Sequence, residues 1–189
     1  MNELIQIYDN ILSKRVCDNI INKFENNENI FKGGIISGIN TNIKNTCDLQ
    51  IEVNYPPEFI EIFNLITSKL NFYTQEYFKN INQQFQLQNN IQPDFYHLIM
   101  KYTKNQGKYV FHQDAHYNYK DNKPRILTYL FYLNTIEEGG ETEFIDGTKI
   151  KPETGKLLFF PATWPYVHRG NIPISSNKYI CTGWLYNNN

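Results

Sequence analysis

The sequence predicts an α+β chain, mainly β, whose strands form a sandwich or barrel-like jelly roll with helices at the N-terminal end. Three observations carry that prediction. From Pro93 onward, residues rich in Tyr, Phe, Ile and Leu fall into short runs, several separated by Gly-Gly or Asp-Gly turns. Before Pro93, two stretches instead repeat apolar residues at helical spacing. A chain of 189 residues that is 41% apolar suffices for one domain with a sizeable core, and no linker or internal repeat divides it. One domain is therefore expected over 1–189, with 1–92 as helical support and 93–186 as the β core.

The elements follow in order. Ser13 is a suitable N-cap for a helix whose apolar positions are Val16, Ile20, Ile21 and Phe24. Next comes KGGIISGINTNIKNTCDLQI, rich in Gly, Asn and Thr, which reads as a loop; residues 32–50 are a candidate covering segment. After Pro56-Pro57, the stripe Phe59, Ile62, Phe63, Ile66, Leu70, Tyr73 and Tyr77 predicts a long helix packed on one face. The strand candidates are DFYHLIMKYT, KYVFHQD, RILTYLFYLN, TEFI, TKIKP, KLLFF, YVHRG and NKYICTGWLY. Gly139, Gly140 and Gly155 serve turns, and the closing NNN is expected to fray.

Composition removes several classes of function. A net charge of −1 gives no general attraction for nucleic acid or an anionic membrane. No apolar run reaches the roughly 18 residues of a membrane span. MNELIQIYDNILSK lacks the basic then apolar pattern of a signal peptide. The three cysteines, Cys17, Cys47 and Cys181, are widely spaced with no CxxC, which reads as reduced and cytoplasmic.

The chemistry concentrates around FHQDAH. In a strand, residues two apart share a face, so KYVFHQD is expected to set His112 beside Asp114 with Gln113 turned away. A third ligand candidate, His168, follows 54 residues after Asp114. Two histidines and a carboxylate form the facial set suited to non-haem Fe(II), with neighbouring positions left open, although zinc catalysis also uses such sets. Ten residues after His168, Lys178 opens NKYICTGWLY and shares a face with Ile180, Thr182 and Trp184. A lysine turned into a barrel is costly unless an anion meets it. A dicarboxylate with one end on the metal and the other on Lys178 would supply that anion.

These residues, in this order, resemble the Fe(II)/2-oxoglutarate-dependent dioxygenases, in their prolyl 4-hydroxylase-like branch. The likeness covers roughly residues 95–186 and runs through MKYTKNQGKYVFHQD, RILTYLFYLNTIEEGGETEF, IKPETGKLLFFP, HRGNIP and KYICTGW. It implies a double-stranded β-helix of the jelly-roll or cupin-like kind, supported by helices. It also implies Fe(II) on His112, Asp114 and His168, with Lys178 on the distal carboxylate of 2-oxoglutarate. Tyr102, Tyr132, Thr182 and Trp184 match positions near the cosubstrate. O2 is the second cosubstrate, and ascorbate binding is a further implication. The activity implied couples decarboxylation of 2-oxoglutarate to succinate with hydroxylation of a C–H bond, here in a proline of a peptide or protein.

Three alternatives stand beside that reading. The substrate is another amino-acid side chain or a free amino acid; or the module is catalytically silent and keeps metal for structure alone; or, less in keeping with the lysine anchor, the chain resembles a nucleic-acid demethylase of the same superfamily. No nucleic-acid or membrane partner is expected. Of the remaining residues, His97 reads as a packed histidine, His116 as a loop residue on the substrate side, and Arg125 as structural.

Overall fold

The computed structural model describes residues 2–35, 37–81, 91–118 and 123–187. In chain order it begins with β1 (Gln6–Tyr8), α1 (Lys14–Glu25), β2 (Phe31–Lys32), β3 (Lys44–Asn45) and β4 (Cys47–Glu52). Next come α2 (Ile60–Ile81), β5 (Ile91–Pro93), β6 (Tyr96–Tyr102), β7 (Lys108–His112) and β8 (Tyr117–Asn118). The remainder is β9 (Lys123–Tyr132), β10 (Thr142–Phe144), β11 (Lys149–Ile150), β12 (Leu157–Pro161), β13 (His168–Gly170) and β14 (Lys178–Asn187).

Two antiparallel sheets face each other. The larger runs β1-β12-β9-β14-β6-β4-β2, with β5 on β14 and β8 on β9; the smaller runs β11-β10-β13-β7-β3. With the two helices outside the larger sheet, this is the helix-supported jelly roll of the double-stranded β-helix class.

Strand parity separates two apolar layers. On β9, Leu127, Tyr129 and Phe131 face the helices, together with Cys181 and Leu185 of β14. Leu130 and Tyr132 face the smaller sheet, where Phe144, Phe160 and Ile180 join them. The helices bury the stripes that their sequences carry. On α1 these are Cys17, Ile20 and Phe24, with Ser13 accepting from the Val16 N–H as N-cap. On α2 they include Ile62, Phe63, Ile66, Leu70 and Tyr77.

The N-terminal 92 residues do more than supply helices. β1 pairs with β12 at the edge of the larger sheet, and β5 joins β14. Of residues 32–50, expected as a loop over the site, the last part is built into both sheets. β3 pairs with β7, while β4 pairs with β6 along its whole length. The reason is local: Leu49 and Ile51 alternate into the helix-facing core, while Asp48 and Gln50 on the opposite face line the cavity between the sheets. The end of the chain also differs from expectation, since Asn187 closes β14; residues 188 and 189 lie outside the described residues.

Candidate metal and cosubstrate site

The two candidate histidine ligands are cross-strand neighbours. β13 pairs with β7 so that His168 stands opposite His112, with a register shift between His168 and Gly170. Their ring centroids lie 4.3 Å apart. Asp114 arrives differently from the sequence expectation. β7 ends at His112, so the period of a strand does not place Asp114. Two residues beyond the strand, its carboxylate is instead tied across to the larger sheet, where the Thr128 hydroxyl donates to Oδ2 at 2.7 Å. Asp114 Oδ1 lies 3.5 Å from His112 Nε2, and Oδ2 lies 3.7 Å from His168 Nε2. One ligand atom from each residue falls within 4.8 Å of the others.

The surroundings decide which ring nitrogens carry protons. His112 Nδ1 meets the Val110 carbonyl at 2.8 Å, and His168 Nδ1 meets the Tyr166 carbonyl at 3.1 Å. A carbonyl only accepts, so both Nδ1 atoms donate, which leaves Nε2 of each ring as the atom that can bind a metal. Burial lowers the His168 pKa to about 4, which keeps that ring neutral despite the nearby Asp114. Burial alone would raise the Asp114 carboxyl; His168, His112 and the Thr128 hydroxyl outweigh it and hold the group well below the usual carboxylate range. One carboxylate oxygen and the two Nε2 atoms thus offer three ligand atoms to one point. The set fits a divalent cation, and two imidazoles with one carboxylate match Fe(II).

A cavity of about 400 Å³ opens from these three residues between the sheets. Lys178 lines it while being only 1% exposed. Its Nζ donates to the Gly140 carbonyl at 2.8 Å and lies 4.0 Å from the centre of the Tyr102 ring. Among the described residues no carboxylate comes within ion-pair distance of it. Burial pulls its pKa down to about 7, with Glu141 acting in the opposite direction. A buried ammonium with a single carbonyl partner is a receptor for an anion. Gly170 makes room for this arrangement, because a Cβ there would stand 2.9 Å from the Tyr102 ring.

The other expected pocket residues divide. Tyr102, Thr182 and Trp184 line the cavity. The Thr182 hydroxyl is already committed to the Tyr129 carbonyl at 2.7 Å, whereas Trp184 Nε1 is buried without a partner among the described residues. Tyr132 is not in the cavity wall. It continues the face of Thr128 and Leu130, but one step farther along it packs in the apolar layer and donates to the Thr142 hydroxyl at 2.7 Å. Thr142, not Tyr132, reaches the cavity there. His116 is exposed at the wall, and Gln113 is exposed beside it. His97 is a core residue, bonded to Tyr129 and Thr67, with burial lowering its pKa to about 4.

Sequence reasoning passed over four contributors. Arg125, read as structural, lines the cavity with its guanidinium 3.4 Å from the Trp184 ring centre and Nε on the Tyr186 hydroxyl. Tyr109 stacks on His112 at 3.5 Å, nearly parallel. Lys44 and Asp48 form a buried ion pair in the wall. Asp48 alone left a legible trace, as an acid set between apolar Leu49 and Cys47 in a strand-length run.

Residues 97–186 match the family described as the 2OG-Fe(II) oxygenase superfamily. A protein of Acanthamoeba polyphaga mimivirus bearing a prolyl 4-hydroxylase name is 26% identical over 195 residues, covering 95% of this chain and 72% of its own. Prolyl 4-hydroxylase 13 of Arabidopsis thaliana is 28% identical over 113 residues, covering 46% of this chain and 41% of the plant protein. Among solved structures, the viral collagen prolyl hydroxylase of Paramecium Bursaria Chlorella virus-1, in its 2OG complex, superposes with a TM-score of 0.69 at 23% identity, covering 98% of this chain and 97% of its own. A Trichoplax adhaerens prolyl hydroxylase, in complex with a hypoxia inducible factor oxygen degradation domain peptide fragment, gives 0.72 at 17% identity, covering 98% and 84%.

Over residues 97–186 the chain carries the sequence pattern of the 2OG-Fe(II) oxygenase superfamily, a family of oxidoreductases that use Fe(II), 2-oxoglutarate and O2. The relatives it resembles bear prolyl 4-hydroxylase names, so the likeness is to the prolyl 4-hydroxylase-like branch. No helix among the described residues is long and apolar enough to cross a membrane.

Proposed function

We propose that this chain hydroxylates a proline of a peptide or protein, with Fe(II) held by His112, Asp114 and His168 and 2-oxoglutarate held at its distal carboxylate by Lys178. The observation that carries the reading is Lys178: a nearly inaccessible ammonium, without an acid partner among the described residues, in the same cavity as three converging metal-ligand atoms. A dicarboxylate with one end at the metal satisfies both requirements together.

Bound Fe(II) supplies O2 activation coupled to decarboxylation of 2-oxoglutarate, and the product is the hydroxylated substrate with succinate and CO2. The chain's own residues orient and exclude. Val110 and Tyr166 carbonyls fix the histidine rings, Thr128 fixes the carboxylate, and Tyr109 buttresses His112 face to face. Lys178 sets the direction of the cosubstrate, and the Tyr102 ring beneath it limits water. Aromatic faces at Tyr96, Tyr109 and Trp184 line the remainder of the cavity and suit the C–H-rich ring of proline. Ascorbate is assigned as the reductant that keeps the metal ferrous. A reducing cytoplasm suits both that metal and three free cysteines.

The test is O2-dependent formation of succinate by the Fe(II)-loaded chain, with a proline-centred peptide library screened for the mass of one added oxygen atom. Hydroxyproline in a peptide supports the proposal. Turnover confined to free amino acids, or metal binding with no turnover on any substrate, refutes it.

A further inference from the structure

The Lys44–Asp48 pair sits in the cavity wall, yet the reading above gives it no work. Lys44 belongs to β3 of the smaller sheet and Asp48 to β4 of the larger, with Thr46 at the corner between them. The pair therefore bridges the two sheets, Lys44 Nζ to Asp48 Oδ2 at 2.8 Å, with the residues 6% and 1% exposed. Asp48 Oδ1 and the Thr46 hydroxyl oxygen are both buried, with no hydrogen-bond partner among the described residues. Leaving a buried carboxylate oxygen without a donor is costly, and such atoms are rare in folded proteins.

The space around the pair is closed on one side by backbone. A Cβ at Gly33 would fall 2.0 Å from Thr46 Oγ1 and 2.7 Å from Asp48 Oδ2, so that segment already lies against the pair. The cavity is the side from which a donor can come. The metal ligands are one ring away: Lys44 Nζ is 5.5 Å from the Tyr109 ring centre, and that ring stacks on His112. The pair and the metal ligands thus line one cavity with a single aromatic ring between them.

The chemistry of the pair selects the group it can read. It offers a vacant acceptor beside an ammonium with donors to spare, and its net charge is zero. A lone cation would face Lys44, and a lone anion would face Asp48. A neutral amide suits both, with its N–H to the carboxylate and its C=O to the ammonium. A zwitterionic free amino acid matches in sign but must bring two charges out of water to a nearly inaccessible place. We propose that Asp48 and Lys44 read a main-chain amide of the peptide substrate, Asp48 Oδ1 accepting its N–H and Lys44 Nζ donating to its C=O. This rests on the peptide reading of the site.

The experiment uses the full Fe(II)-loaded chain and a proline-centred hexapeptide that it hydroxylates, alongside hexapeptides methylated at one backbone nitrogen at a time. In the unaltered chain, methylation of one particular amide is expected to raise KM by about tenfold or more, because it removes a donor to a buried charged acceptor. In Asp48→Asn, which keeps size but presents an NH2 group, the parent and that methylated peptide should have KM values within about twofold of each other. A purely structural role for Asp48 would leave the methylation penalty unchanged. A penalty that persists undiminished in Asp48→Asn, or no penalty for any methylated peptide in the unaltered chain, overturns the inference; the second arm decides even where the variant fails to fold. Free L-proline is run in parallel. Turnover of proline but of no peptide refutes the function proposed above and this inference with it, whereas peptide turnover with an unmoved penalty refutes only the inference.

Discussion

Replacing Lys178 with Met separates binding from stability, and the two effects have opposite signs. Without an anion, wild-type Lys178 holds a buried ammonium against one carbonyl and one aromatic face. Burial lowers its pKa from 10.5 to about 7. Between those values the unfolded chain binds more protons than the folded chain, so wild-type stability rises with pH across that window. Lysine contributes up to about 1.4 kcal/mol per pH unit there, and below about pH 7 its full penalty applies. Met fills a similar volume against Tyr102 without a charge to desolvate. Replacing a buried charge by an apolar side chain stabilises by about 1–4 kcal/mol, partly offset by about 1 kcal/mol for the freed Gly140 carbonyl. The metal-free variant should therefore melt a few degrees higher at pH 7 and lose the rise in stability between pH 7 and 9.5. Binding moves the other way, since losing one partner of a buried charged contact costs about 2–5 kcal/mol, or about 30- to 5,000-fold in the Kd for 2-oxoglutarate. Urea titrations across pH and anaerobic calorimetry with 2-oxoglutarate measure both. An unchanged Kd refutes the anchoring role, and an unchanged pH slope refutes the buried, depressed lysine.

Other substitutions probe the remaining supports. Thr128→Val removes the hydroxyl on Asp114 Oδ2; Fe(II) affinity should fall about tenfold, read by metal titration, with little change in melting temperature. His168→Ala should abolish succinate formation while the circular dichroism spectrum stays that of the folded chain. At Gly155, φ is +81° and an added Cβ would meet the Leu12 carbonyl at 2.1 Å, so Gly155→Ala should destabilise the chain by about 2 kcal/mol or more in urea. His97 is buried with its pKa lowered from 6.5 to about 4, so its folded form resists protonation and stability drops as pH falls through that window. His97→Gln should flatten the acid limb of the stability curve between pH 6.5 and 4, and an unaltered limb would remove His97 as a cause.

Several parts of the site were legible in the sequence for different reasons. The order and spacing of His112, Asp114, His168 and Lys178 carry the family resemblance that implies iron and a dicarboxylate. Strand parity at Lys178, Ile180, Thr182 and Trp184 held, because β14 runs unbroken from Lys178 to Asn187. The same argument at Asp114 reached a correct neighbour for an incorrect reason, since β7 stops at His112 and Thr128 on the opposite sheet does the positioning. Tyr132 shares the face of Thr128, but the cavity ends before it, and where a cavity ends depends on what packs across from it.

The sequence by itself determined the helices, the succession of strands and the residues able to hold metal and an anion. Those properties follow from local period and from the chemistry of side chains, which survive in a one-dimensional string. Only the tertiary structure decided which distant groups meet. It joined Lys44 to Asp48 across two sheets, set Arg125 over Trp184, and left Asp48 Oδ1 without a donor. The physical reason is that contact, burial and unmet hydrogen-bonding capacity belong to the packing of elements against one another. The Gly- and Asn-rich run that read as a loop became a wall of the cavity once β3 and β4 found strands to pair with.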